Sequence, residues 1–231
     1  MLPTLAVLLM AAAPTAEAIL ARADAILAPE NFQSDVTMTT VRANGEERSY
    51  SMRIWKSGDD LHRIRFTAPA DDKGTEVLRI GSDMWNYLPN LKRALRISAK
   101  QEFHGGDFSN ADLLRPNLSR DYTPKLISTE GDEYQLELTA KSDEVAYASI
   151  KYWIRKKDCM PLRQEFFTSS GKLVRKLDLL DPKPFGKVNR PSKLVMWNAL
   201  VPSRRSELVV NAFAVRAEID EGLFNLASLG R

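Results

Sequence analysis

Residues 74–114, GTEVLRIGSDMWNYLPNLKRALRISAKQEFHGGDFSNADLL, decide how the rest of the chain can fold. Thr75–Ile80 and Met84–Leu88 have the composition of short strands, and each ends at a turn signal, Gly in the first case and Pro-Asn in the second. Ala94–Ser98 can return as a third strand. Ser109, with an aspartate three residues later and two leucines after it, is typical of a capped helix start. The stretch therefore predicts a small antiparallel sheet that leads through a glycine-containing loop into a short helix.

Alternation of apolar and polar residues, the period of a strand, continues on both sides of this stretch. It predicts strands at Asp35–Arg42, Glu47–Lys56, Leu61–Thr67, Tyr122–Thr129, Tyr134–Ala140, Ala148–Ile154, Leu162–Thr168, Lys172–Leu180, Lys193–Leu200 and Glu207–Ala217. Asn44-Gly45 indicates a type I′ hairpin turn between the first two. The three prolines of Asp181–Pro191 indicate a longer loop. Short strands at near-regular spacing predict an antiparallel sheet of about 10–12 strands, and a sheet that wide must curl, split or close.

The N-terminus has the features of a secretory signal peptide. Leu2–Ala13 is an apolar run, shorter than the roughly 20 residues that span a bilayer. Ala16-Glu17-Ala18 is a small-x-small cleavage signal, so we predict that residues 1–18 are removed, although no Lys or Arg precedes the apolar run. A buried N-terminal helix is the alternative. Ala18–Leu27 carries apolar residues at helical spacing, which predicts that the mature chain begins with an amphipathic helix.

The composition favours a single exported domain, residues 19–231. The chain has 33 basic and 30 acidic side chains and a formal net charge of +3, which gives no reason to expect binding to nucleic acid. Cys159 is the only cysteine, so no disulfide framework is expected. No sign of a second domain or an internal repeat is present, and we expect a monomer.

The residues that usually carry catalysis are too few and too scattered to predict an enzyme. His62, His104 and Cys159 do not have the spacing of metal ligands, and we interpret His62 as a solvated strand residue. His104-Gly105-Gly106 resembles the backbone-donor loop of lipases, but the chain has no G-x-S-x-G serine motif for it to serve. We therefore predict no catalytic residue, no cofactor and no metal site.

Some strands are apolar on both faces and so need a covering layer on both. Leu194–Trp197 and Leu208–Val210 run without alternation. Because the sequence offers only about three short helices as cover, we predict an apolar concavity that is incompletely covered, which on a soluble protein usually marks a ligand or partner surface. The alternative is that the sheet curls tightly enough for its own side chains to fill the space.

Four residues of the opening stretch are the candidate ligand contacts. Leu78 and Ile80 share one face of their strand, and Trp85 and Tyr87 share one face of the next, because side chains two apart point to the same side. Their apolar surfaces would suit an acyl chain. The sequence does not fix which face of the sheet looks inward.

The return strand after Pro89 is basic, with Lys92, Arg93, Arg96 and Lys100 close together. Two interpretations stay open. The charges can block edge-to-edge pairing of the sheet, or they can attract an anionic lipid headgroup or an acidic membrane surface.

Three motifs resemble the outer-membrane lipoprotein-sorting family, the LolA/LolB-like proteins of Gram-negative bacteria. They are Gly74 with Leu78, Trp85–Pro89, and Gly106–Leu113. The resemblance implies a mainly β fold, an unclosed and strongly curved antiparallel barrel with a few short helices over its concave face. It also implies a periplasmic carrier that binds acyl chains of a lipoprotein or lipid for transfer toward the outer membrane, with a membrane transporter or an outer-membrane acceptor as partner. A non-catalytic periplasmic accessory or sensor domain that binds a partner protein, such as an exporter or regulator, is the alternative.

Overall fold

A computed structural model describes residues 13–231, which form one antiparallel sheet of 13 strands. The strands are β1 (Phe32–Val41), β2 (Glu47–Ser57), β3 (Leu61–Ala68), β4 (Glu76–Ile80), β5 (Asp83–Leu88), β6 (Arg93–Arg96), β7 (Tyr122–Ser128), β8 (Glu133–Ala140), β9 (Ser149–Arg155), β10 (Pro161–Phe167), β11 (Leu173–Phe185), β12 (Val188–Asn198) and β13 (Arg205–Val215). The helices are α1 (Ala16–Leu27), α2 (Asn110–Leu114) and α3 (Leu118–Asp121). Three single turns of 3-10 helix complete the list, at Phe103–Gly105, Glu221–Leu223 and Leu226–Ser228. The predicted fold class is confirmed, with one strand more than the upper end of the expected range.

The sheet is two meanders joined side by side. Strands β1 to β6 follow one another across one half, β7 to β13 follow one another across the other, and β1 pairs with β13 at the centre. The edges of the sheet are therefore β6 and β7, and the segment 97–121 between them carries α2 and α3. Residues 97–121 thus connect the two edges of an unclosed half-barrel.

The curvature of the sheet follows from its core. One continuous cluster of buried apolar side chains takes members from every strand except β6. Side chains from both ends of so wide a sheet can meet only if the sheet wraps around them. Within the described residues, no helix is long and apolar enough to cross a membrane.

Two connections differ from the sequence predictions. The turn around Asn44-Gly45 is not type I′, because only Gly45 has a positive φ, +83°, and its amide donates to the Arg42 carbonyl at 2.9 Å. This is the longer hairpin loop in which a left-handed glycine follows an ordinary turn.

The predicted loop 181–191 is instead a hairpin that extends beyond the sheet. β11 and β12 stay paired through Pro182 and Pro191, with Gly186 at the tip. Prolines are tolerated here because β11 pairs with β10 only as far as Asp178, and β12 pairs with β13 only from Lys193 onward. The outer edges of the hairpin thus have no ladder for a proline to interrupt.

Candidate ligand cavity

An apolar cavity of about 120 Å³ lies between the concave face of the sheet and the segments that cover it. Most of its lining is aliphatic or aromatic. The sheet contributes residues such as Phe32, Val36, Ile54, Leu194, Leu208 and Val210, and the cover contributes Leu27 of α1, Ala111 and Leu113 of α2, Leu118 of α3 and the loop 145–147. The volume is below the roughly 300–1,000 Å³ of typical ligand pockets. A long apolar ligand would therefore enter only if the cover moved away from the sheet.

The cover begins at a capping box, as the sequence predicts. The Asp112 amide donates to Ser109 Oγ at 3.2 Å, and the Ser109 amide donates to Asp112 Oδ2 at 2.6 Å. Tyr147 Oη donates to the same carboxylate oxygen at 3.0 Å, which connects α2 to the neighbouring loop. Burial raises the pKa of Asp112 above the usual value for a carboxyl group.

The loop before α2 is anchored to the sheet by Asp107. Its carboxylate accepts hydrogen bonds from Asn198 Nδ2 at 2.9 Å and from Ser206 Oγ at 3.4 Å, and all three residues are buried. Gly106 allows this approach, because a Cβ at that position would lie 2.9 Å from Thr40 Oγ1 and 3.2 Å from the Phe103 carbonyl oxygen. The Gly-Asp part of the sequence motif thus fixes where the cover starts.

Arg79 and Asp24 are among the residues whose polar contacts hold the far end of the cover. Buried Arg79 donates from Nη1 to the carbonyl oxygens of Leu114 at 2.9 Å and Asp59 at 2.8 Å. Asp24 of α1 accepts a hydrogen bond from the Ser119 amide of α3 at 2.8 Å. Burial raises the pKa of Asp24 to about 6, although the Ser119 hydrogen bond acts in the opposite direction. Opening of the cover would therefore have to break these polar contacts.

One basic side chain in the cavity lining has no counter-ion within residues 13–231. Arg190 of β12 is buried, and its guanidinium carbon lies 4.1 Å from the centroid of the Phe213 ring. Within residues 13–231, Nε of Arg190 has no hydrogen-bond partner. Burial lowers the pKa of the guanidinium to about 10, and no neighbouring carboxylate offsets this effect. No sequence pattern singles out this residue, because the prolines around it indicate a loop.

The four predicted ligand contacts come together, but on the opposite face of the sheet. Leu78 and Trp85 lie directly across from each other on β4 and β5, with Ile80 and Tyr87 in the same cluster. Their chain neighbours Val77 and Met84 belong to the cavity-side core, so alternation places the four on the convex face. None of the four lines the cavity.

The C-terminal segment 219–231 covers these four residues. Phe224 and Leu229 are buried in the same cluster as Leu78. The segment is held by Arg63, which forms a buried ion pair with Glu76 and donates from Nη1 to the Leu223 carbonyl at 2.7 Å. Ligand contact by the four residues stays a prediction, and their placement favours packing of the C-terminus. The sequence does not predict this second cover, because the tail has no long apolar period.

The two histidines and the cysteine, which were considered as catalytic or metal-binding residues, are packed inside the fold. The interpretation of His62 as solvated is wrong: it lies on the inward side of β3, fully buried, and its pKa is well below the usual value because of burial and the nearby Arg79 and Lys56. His104 packs against the ring of Phe66, with centroids 4.1 Å apart. Cys159 is buried as a free thiol. No group of three or more metal-binding side chains is found in the part of the chain that the structure covers.

The basic strand is an edge of the sheet. Residues 93–96 form β6, which pairs only with β5 and is exposed along its length. Arg96 forms an ion pair with Asp83. The position of β6 agrees with basic side chains that block edge-to-edge pairing of the sheet. Attraction of these side chains to an anionic lipid headgroup or an acidic membrane surface stays open.

Comparison with known proteins identifies a family model and solved structures that match this chain. A family model described only as an uncharacterized protein matches residues 58–231. No protein with a curated description matches the sequence. A LolA superfamily protein from Nitrosomonas europaea is 28% identical, with a TM-score of 0.86 over 94% of this chain and 100% of the other.

Two further solved structures have the same fold. A domain assigned to outer-membrane lipoprotein sorting, from Vibrio parahaemolyticus, is 25% identical with a TM-score of 0.78 over 87% of this chain and 92% of the other. A DUF1329 family protein from Desulfovibrio piger, at 22% identity, shares the fold with a TM-score of 0.81 over 93% of this chain and 97% of the other. The chain belongs to the family of the matching model, and its sequence and fold place it in the LolA superfamily of lipoprotein-sorting-like proteins.

Proposed function

We propose that the protein is a periplasmic carrier that shelters acyl chains of a lipoprotein or lipid on their way toward the outer membrane. The observation that carries this proposal is the apolar cavity enclosed between the concave face and a thin cover. Most of its lining is aliphatic or aromatic, which suits an acyl chain. Membership of the superfamily supports the same role.

Binding of this kind needs no covalent step. Burial of a hydrocarbon chain contributes about 0.8 kcal/mol for each CH₂ group removed from water. Because the closed cavity is only about 120 Å³, part of that free energy must be spent on displacing α2 and α3 from the sheet. Uptake and release are then both governed by the contacts that hold the cover.

Export is part of the proposal. Cleavage after Ala18 would remove the first turn of α1 and its Thr15 cap. It would keep every fully buried residue of the helix, namely Ile19, Leu20, Ala23 and Asp24. Residues 1–12 of the proposed signal peptide lie outside the described part of the chain.

The test is saturable binding of a fluorescent fatty-acyl probe to delipidated protein. Ala111→Trp places a large ring in the cavity from the cover side and should weaken binding at least about tenfold. Ala212→Trp, on the exposed outer side of β13, is the matched control and should bind as the native protein does. Non-saturable binding, or equal binding by both variants with equal melting temperatures, would contradict a carrier that uses this cavity. Retention of a stoichiometric protein partner instead of lipid would favour the accessory-domain alternative.

A further inference from the structure

The cavity carries a buried positive charge that has no counter-ion in the described part of the chain. Arg190 is 6% exposed, lines the cavity and has no carboxylate partner within the described residues. A buried ion is costly unless it is paired and hydrogen-bonded. The unpaired guanidinium at this position therefore destabilises the ligand-free protein.

The other buried arginines, Arg63 and Arg79, have hydrogen-bond or ion-pair partners for their guanidinium groups. Arg63 pairs with Glu76 and donates to main-chain carbonyl oxygens of the C-terminal segment. Arg79 donates to three carbonyl oxygens, of Gly81, Asp59 and Leu114. Arg190 differs from both, because within residues 13–231 its guanidinium stacks on the ring of Phe213 and has no ion-pair partner. Stacking on an aromatic ring leaves the in-plane N–H groups of the fork free to donate.

The free donors adjoin a hydrocarbon surface. Phe32, Leu194 and Val210 line the same cavity as the guanidinium. Arg190 lies at the end of β12 where the hairpin leaves the sheet, and Leu194 is four residues further in, about 13 Å along the strand. The guanidinium of Arg190 thus lies in the same cavity as an extended apolar wall.

We propose that Arg190 binds the anionic head of an amphiphile whose acyl chain occupies the cavity. A planar guanidinium donates two parallel hydrogen bonds to a carboxylate or to a phosphate, and both groups would supply the missing counter-charge. This inference rests on the proposed acyl-binding function and deepens it, because it selects an acid or phosphate head over the neutral esters and amides through which lipoprotein acyl chains are attached.

The experiment compares three ligands with the same sixteen-carbon chain. Hexadecanoate, hexadecyl phosphate and 1-hexadecanol compete with a fluorescent fatty-acyl probe on the delipidated full chain. We expect at least one anion to bind at least about tenfold more tightly than the alcohol. Whichever anion binds more tightly identifies the head group as carboxylate or phosphate.

Three variants assign the preference to Arg190. Arg190→Met keeps an unbranched apolar stem and should abolish the preference for anions while the alcohol binds as before. Arg190→Lys keeps the charge but not the fork, and should retain part of the preference. Arg163→Met is the matched control, because Arg163 also stacks on an aromatic ring, Trp153 at 4.5 Å, but on the exposed side of β10. It should leave all three affinities unchanged.

Melting temperatures provide a second readout. The ligand-free Arg190→Met variant should melt at or above the native temperature, because an uncompensated buried charge has been removed. Equal binding of the alcohol and both anions by the native protein would overturn the Arg190 inference and leave acyl binding intact. Binding of none of the three would instead overturn the proposed function. Should Arg190→Met fail to fold, the native comparison and Arg190→Lys still decide.

Discussion

The Asp24 carboxylate of α1 accepts a hydrogen bond from the Ser119 main-chain amide of α3 at 2.8 Å, and so joins two of the three helices that cover the cavity. The second oxygen of the same carboxylate is buried without a partner in the described residues. The carboxyl group of Asp24 therefore connects α1 to α3, although burial disfavours its ionised form. This relationship makes the stability of the covered form depend on pH.

The first prediction concerns that pH dependence. The pKa of Asp24 is raised from 3.8 to about 6 on folding, so the folded state binds the proton more tightly than the unfolded state. The contribution is fully present below pH 4 and is lost as pH rises through 6, which lowers the free energy of unfolding by up to about 3 kcal/mol. Asp24→Asn keeps an acceptor for the Ser119 amide and should be more stable than the native protein at pH 7.5.

Thermal melting from pH 4 to pH 8 checks this. The difference in melting temperature between Asp24→Asn and the native protein should grow between pH 4 and pH 6 and be constant above. Asp143→Asn, a change of an exposed carboxyl, is the control and should follow the native curve. Parallel curves for Asp24→Asn and the native protein would show that Asp24 does not titrate in this range.

A second prediction concerns the anchor of the cover. Asp107→Ala should lower the free energy of unfolding by about 3 kcal/mol, because Asn198 and Ser206 lose their buried acceptor and Arg204, 3.5 Å from the carboxylate, loses a counter-charge. Denaturant unfolding measures the loss. The exposed change Asp143→Ala should cost little, and a similar small cost for Asp107→Ala would mean that the loop is held elsewhere.

Trp85 provides a third prediction, which separates the two faces of the sheet. Trp85→Ala removes apolar surface under the C-terminal segment and should cost about 2 kcal/mol, less than a fully buried tryptophan. Binding of the acyl probe at a temperature where the variant is folded should be unchanged. Lost binding with unchanged melting would instead support the original prediction that Trp85 contacts the ligand.

The outcome for Trp85 shows what periodicity can and cannot predict. Alternation correctly predicted that Leu78 and Ile80 share a face, as do Trp85 and Tyr87, and register brings both pairs together. Alternation does not say which face is concave, because that depends on the pairing of β1 with β13, two strands from opposite ends of the chain. Local patterns were thus enough to predict the sheet, the helix cap at Ser109 and the cover, but not which face of the sheet the cover lies on.

The buried positions of Arg190 and His62 could not be predicted from the sequence, for a different reason. Arg190 lies in a proline-rich stretch that pairs as a hairpin, and prolines are tolerated there because its outer edges are unpaired. His62 alternates with exposed-looking arginines, yet Arg63 is itself buried beneath the C-terminal segment. Burial of this kind depends on long-range packing, and charge patterns along the chain do not report it.

A fourth prediction concerns export. Intact mass of the protein recovered from the periplasm should correspond to a chain that starts at Ile19. Such a chain begins α1 with a free amino group in place of the Thr15 cap, which is a small cost at a helix N-terminus, about 0.3–1 kcal/mol. A protein retained in the cytoplasm with Met1 intact would contradict the compartment and most of the carrier proposal.

Mass spectrometry of the organic extract from natively purified protein tests the central claim most directly. A carrier that shelters acyl chains in the cavity should yield an acyl lipid at a level approaching one per protein, and Ala111→Trp purified in parallel should yield much less, while Ala212→Trp should match the native protein. Extracts with no acyl lipid above that of an unrelated protein purified in the same way, or equal amounts from Ala111→Trp, would contradict the account.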